Sequence, residues 1–100
     1  MDADNLKHIL IEEMAKYAGK GLNADSYLTR NDAAQLFTVV DIAHVRGKRI
    51  IGNVLVARIQ ENRIIIELDR NNKPLNDALK QRGVPETQMV LAYLDKTMPA

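Results

Sequence analysis

Two histidines and thirteen side-chain carboxylates are the chain's first candidates for acid–base or metal chemistry, and their spacing limits what they can do. His8 and Glu12 stand one helical step apart. On a helix they share a face and supply two of the ligands a metal would need. No second helix offers a matching pair, so the spacing favours a solvated histidine. His44 with Asp41 would make a general base and its orienting carboxylate. Three positions apart on an extended strand, the two point to opposite faces, which argues against the pair. Glu67 and Asp69 alternate onto one face, an arrangement that with Mg²⁺ supports nuclease chemistry. Arginines on a neighbouring strand, such as Arg58, offer them an ordinary role as cross-strand ion partners. Ser26 is the only serine and has no base near it in sequence. Neither the nucleophile-elbow pattern nor the phosphate-binding glycine loop occurs. With no cysteine there is no disulfide, thiolate metal site or thiol nucleophile. The residues point to no catalytic centre, no metal and no cofactor.

The strongest local signal is cationic. Arg46, Lys48 and Arg49 surround Gly47 in a tight turn, exposed by its geometry. Such a loop can touch DNA phosphates or an acidic patch on a protein, or simply keep a hairpin in water. Three charges give a weak, salt-sensitive grip on DNA, so protein contact is the favoured reading. Arg70 and Lys73 form a second small group. Lys80 and Arg82, near the end of a helix, suit its dipole as a solvated face. Net charge is only +1 and creates no global pull toward nucleic acid or membrane. Three tyrosines, one phenylalanine and no tryptophan are few rings for stacking single-stranded bases.

The elements that must position these residues follow from periodicity. Leu6, Ile9, Leu10, Met14 and Tyr17 recur at helical spacing, predicting a helix from about Asp4 to Ala18. Asp2, Asp4 and Asn5 are its cap candidates, and Gly19 and Gly21 its stop. Asp25 to Arg30 reads as a short strand or an irregular link, followed by a turn at Asn31-Asp32. Strands are predicted over Gln35–Val45, Arg49–Ile59 and Arg63–Leu68, with turns at Arg46-Gly47-Lys48 and Glu61-Asn62. Tight connections make them an antiparallel meander. Pro74 marks the first turn of a second helix, capped by Asn72 or Lys73 and stopped by Gly83 and Pro85. Pro85–Gln88 can add a helical turn before a short last strand, Met89–Leu94.

The expectation is one α+β domain over residues 1–100. It has a mainly antiparallel sheet of about four strands with both helices packed on one face. Alternation in the second strand places Ile51, Leu55 and Ile59 on one face and Ile50, Val54 and Val56 on the other. The latter three are a candidate apolar interface, and a homo- or hetero-oligomer is expected. The polar N-terminus is unlike a secretory signal, and no apolar run is long enough to span a bilayer. A cytoplasmic protein is expected, with residues 95–100 an unordered tail.

From about Asp32 to Leu94 the ordered motifs resemble the XisI family, the fdxN element excision controlling factors of cyanobacteria. The resemblance is carried by Leu36-Phe37-Thr38-Val39-Val40-Asp41-Ile42 and by the run from Arg46 to Val56. It continues through Glu61-Asn62-Arg63-Ile64-Ile65-Ile66-Glu67, Leu75-Asn76-Asp77-Ala78-Leu79, Gly83-Val84-Pro85-Glu86 and Met89-Val90-Leu91-Ala92-Tyr93. The chain departs from the family's pattern at Ala43-His44, where a tryptophan is usual. It departs again at Asp95–Ala100, which replaces a tail rich in His, Pro and Arg. The resemblance implies a non-enzymatic controlling factor in programmed DNA excision during heterocyst differentiation. Its implied partners are a XisH-like protein and a recombinase–DNA complex. Two other functions remain open on the residues alone: a small DNA-binding module built on the Arg46–Arg49 turn, and a homo-oligomeric domain of unrelated role.

Overall fold

The computed structural model describes residues 1–94. Helix α1 runs Ala3–Ala15, and Asp2 caps it: Asp2 Oδ1 accepts from the Asn5 amide at 2.8 Å. That bond satisfies one of the free amides at the helix start. Leu6, Leu10 and Met14, four residues apart, are wholly buried. The helix stops short of the expected Ala18. Beyond Ala15 the chain turns toward Gly19, whose φ of 149° suits glycine, and begins strand β1, Gly19–Lys20.

The sheet has six strands in chain order: β1, then β2 (Ala24–Asn31), β3 (Leu36–Val45), β4 (Lys48–Gln60), β5 (Arg63–Asp69) and β6 (Met89–Leu91). The α+β, mainly antiparallel class is as expected. The additions are the two-residue β1 and β2, the segment that sequence left between strand and link. Strands β1 to β5 pair antiparallel, whereas β6 pairs parallel to β5, with Ile64, Ile65 and Ile66 opposite Met89, Val90 and Leu91. A parallel neighbour needs a crossover, and helix α2, Leu75–Gln81, provides it. The last strand is shorter than expected: Ala92–Leu94 form a 3₁₀ turn.

Two hairpins close with two-residue turns in which both residues have positive φ. Arg46 and Gly47 lie at 50° and 77°, Glu61 and Asn62 at 52° and 60°. Such turns match the right-handed twist of the strands they join. Two β-bulges interrupt the ladder: Val54 is the extra residue in β4, where the register slips opposite Val39 and Val40, and Glu67 the extra residue in β5, where it slips opposite Val56 and Ala57.

Both helices lie on one face of the sheet. Phe37, Val39, Leu55, Ala57, Ile64 and Ile66 from the strands meet Leu6, Leu10 and Met14 of α1 and Leu75 and Leu79 of α2. The start of α2 is built differently from the expectation. Pro74 is its N-cap and makes no side-chain cap bond, so neither Asn72 nor Lys73 caps the helix. Asp69 at the end of β5 reaches across instead. Its Oδ2 accepts from the Leu75 amide at 2.8 Å and its Oδ1 from the Asn71 amide at 3.0 Å. The expected tail, 95–100, lies outside the described residues. Among the described residues no helix is long and apolar enough to cross a membrane.

Candidate partner-binding arm

β3 and β4 outrun the helices. Past Val39 and Leu55 their hairpin continues with no helix over it, and every residue from His44 to Asn53 is exposed. The molecule's long axis is 45 Å against 30 and 26 Å for the others. Apolar side chains gather at this end. Ile51 is 61% exposed, Ile50 55%, Val45 44%, and Tyr27 and Leu22 lie on or beside β2 nearby. Solvated aliphatic groups in such numbers suit a surface that is covered in use.

The bulge in β4 decides which of them share a face. Cross-strand partners stand on the same side of a sheet. Val39 opposite Leu55 faces the helices. After the slip, Val40 pairs with Asn53 and Ile42 with Ile51, so Asn53 and Ile51 join Thr38 and Val56 on the outer face. Ile50 and Gly52 pair with Ala43 and Asp41 and stand on the helix side, beyond the helices. The expected interface of Ile50, Val54 and Val56 is therefore split. Val54, the extra residue at the bulge, packs against the core, Ile50 continues the inner side, and Val56 alone faces outward. An uninterrupted alternation ignores the one residue that inverts it.

Charge follows the same division. Around the helices the cations are paired, with the exception of Lys73 just before α2. Arg82 Nη1 and Nη2 reach Glu13 at 2.7 Å and Glu12 at 2.8 Å, and Lys16 reaches Glu13 at 2.8 Å. Lys80 meets Glu86, Arg58 meets Glu67, Arg63 meets Glu61, and Lys7 and Arg30 share Asp32. Among the described residues, the cations with no carboxylate within 4.0 Å are Lys20, Arg46, Lys48, Arg49, Arg70 and Lys73. The structure brings Arg46, Lys48 and Arg49 together at the tip of the arm. Arg70 sits at its base, where its amide donates to the Val54 carbonyl at 2.9 Å. Lys73 is apart, before α2, its carbonyl accepting from the Tyr17 hydroxyl at 2.6 Å.

The chemical candidates resolve into structural parts. His8 and Glu12 do meet, at 3.3 Å, on an exposed helix face. Among the described residues no three His, Asp or Glu side chains converge as metal ligands. Asp41 accepts a hydrogen bond from Ser26 Oγ across β2 and β3, a contact the sequence distance concealed. His44 takes the opposite face beside Arg49, so the histidine approaches neither that serine nor its carboxylate. Glu67 and Asp69 are divided by the second bulge. Glu67 pairs with Arg58, and Asp69 holds the turn into α2. Arg82, expected as a solvated charge, instead ties the end of α2 to α1. Burial pushes the Glu13 carboxyl up, but hydrogen bonds from Lys16 and Arg82 outweigh it and leave the group below its ordinary range. Glu12 is also lowered, mainly by its hydrogen bond from Arg82. An open groove of about 540 Å³ runs between the helices, lined by Lys16, Tyr17, Lys73, Asp77 and Gln81 among others. Its mixed charges converge on no single point.

The family model described as XisI protein matches residues 3–99. Two solved structures from Anabaena variabilis share the fold. One is a XisI-like protein, 16% identical, with a TM-score of 0.73 over 92% of this chain and 84% of that one. The other is the fdxN element excision controlling factor XisI, 20% identical, with a TM-score of 0.73 over 92% of each chain. No curated protein matches.

Proposed function

We propose, because the chain belongs to the XisI family, that it is an accessory factor controlling programmed, site-specific DNA excision. In this reading it acts in the cytoplasm by binding a XisH-like protein and performs no chemistry of its own. One observation carries it: exposed apolar side chains and unpaired cations occupy the same uncovered end of the sheet. A surface of that composition suits a protein partner with an apolar centre and an acidic rim. The solved relative named for excision control supports the process.

Co-expression with a XisH-like protein, followed by purification and mass determination, tests the reading. A stoichiometric complex is expected, weakened by Val40→Asp on the outer face. Clean separation of the two proteins overturns it, as does unaided, metal-dependent DNA cleavage.

The free charges of the Arg46–Arg49 turn favour a second reading, contact with the recombinase–DNA complex. It predicts duplex affinity that falls steeply with salt. Equal binding by the Arg46/Lys48/Arg49 triple alanine variant excludes it.

A further inference from the structure

The strand β4 has an open edge. On the side away from β3, β5 pairs with it only from Leu55 to Gln60. The Arg70 amide and Asn71 Nδ2 close the Val54 carbonyl, at 2.9 and 3.2 Å. At the other end lies the Arg46-Gly47 turn. Among the described residues nothing pairs with this edge between Arg49 and Asn53. Its midpoint is Ile51.

We propose that two copies of this chain join here, antiparallel, to form one continuous sheet about a two-fold axis at Ile51. This inference uses the edge of the same arm whose outer face is proposed for the partner, and its test needs no XisH-like protein. The side chains argue for a strand at the edge over a partner on a face. Ile50 and Ile51 are both exposed but point to opposite faces, so a protein docked on either face covers only one. A strand added at the edge gives both a neighbour.

They also argue for a second copy. A two-fold axis normal to the sheet keeps each face with itself, so residues facing across it must be of the same parity. Centred on Ile51, the register places Ile51 against Ile51 on the outer face. On the inner face Ile50 lies opposite Gly52 of the other copy. Gly52 has open space where a Cβ would stand, so an isoleucine fits beside it without a clash. Arg49 lies opposite Asn53, an acceptor with no charge to oppose it. The two cationic turns then sit at opposite ends of the junction, apart from each other. Isoleucine against isoleucine on one face and isoleucine against glycine on the other is the self-complementarity an isologous dimer requires. The other open edges suit it less: β6 has only three residues, and the free part of β2, residues 27–31, ends in the polar run Thr29, Arg30 and Asn31.

The full chain lacks cysteine, so an introduced thiol reports on one position. The wild-type chain should sediment as a dimer. Ile51→Asp sets two carboxylates face to face and should weaken self-association by at least ~100-fold with an unchanged circular dichroism spectrum, since like charges in contact cost several kcal/mol. Ile51→Cys should cross-link to itself under copper–phenanthroline oxidation, because directly opposed residues in a sheet stand about 4.5–5.5 Å apart at Cβ. Tyr27→Cys, also exposed but far from the axis, should not. A monomer at high concentration overturns the proposal. So does a dimer indifferent to Ile51→Asp, or one cross-linked through Tyr27→Cys, which means that the copies meet by a sheet face or by the β2 edge.

Discussion

The same two strands run through both halves of the molecule under different physics. Where the helices cover them, β3 and β4 present Phe37, Val39, Leu55 and Ala57 with no exposed surface. Beyond the helices they present Val45, Ile50 and Ile51 to solvent. In the covered half most cations close against carboxylates, and at the tip Arg46, Lys48 and Arg49 close against none among the described residues. The covered half supplies folding energy, because burial of apolar area is what drives folding. The arm contributes little of that energy and leaves its surface for association. Stability and binding are thus separated along the length of the same hairpin.

The separation breaks most visibly under truncation. Phe37→Ala leaves a cavity beneath the helices and should cost ~3–5 kcal/mol in urea unfolding, and Leu10→Ala ~2–5 kcal/mol. Ile50→Ala, equally apolar but more than half exposed, should move the unfolding midpoint by no more than ~0.5 kcal/mol while weakening self-association. Comparable losses from core and arm at concentrations where the chain is monomeric would mean that the arm is covered within a single chain, and would remove the distinction.

Asp69 marks the boundary between the halves. It serves where the helix start has no side-chain cap of its own, so Asp69→Ala should cost ~0.5–2 kcal/mol, as loss of a cap does. Asp69→Asn, which keeps an acceptor, should recover part of that.

The ion cluster of the covered half predicts the acid response. Glu12, Glu13 and Asp32 all have folded-state pKa values lowered by cationic partners. A depressed carboxyl contributes stability that is present above its unfolded value, 4.5 for the glutamates. That contribution is lost as pH falls through the folded value. Denaturant midpoints should therefore fall below about pH 4.5, and Arg82→Ala should flatten the fall. An unchanged acid slope in that variant would mean that Arg82 does not set these carboxyls.

Much of this was legible in the amino-acid order, and the failures share a cause. The spacing of Leu6, Leu10 and Met14 marks α1, and Gly47 and Asn62 mark the hairpin turns, because helices and turns are decided by near neighbours. Family membership was legible too, from the ordered motifs. What was hidden depends on pairing between distant segments. The bulge at Val54 leaves no mark in composition, yet it moves Ile50 and Ile51 to the faces opposite those that simple alternation gives. Arg82 finds Glu12 and Glu13 from about seventy residues away. Ser26 finds Asp41 only because β2 is a strand. The basic turn of the candidate site was visible as a turn, while the absence of partners for its charges needed the whole fold.

The smallest effect separates the halves most cleanly. Arg46 occupies a position with φ of 50°, where most side chains are strained and asparagine, short and able to hydrogen-bond locally, is tolerated. Arg46→Asn produces the Asn-Gly pair that two-residue turns of this kind favour. It should raise stability by a few tenths to about 1 kcal/mol, read as a shift in thermal midpoint. It also removes one of the unpaired cations at the tip. If the arm is an association surface, binding to an acidic partner or to duplex DNA should weaken while the fold strengthens. A substitution that improves the turn and leaves every association unchanged would show that Arg46 serves only to keep the hairpin in water, and its strained backbone would then have no functional counterpart.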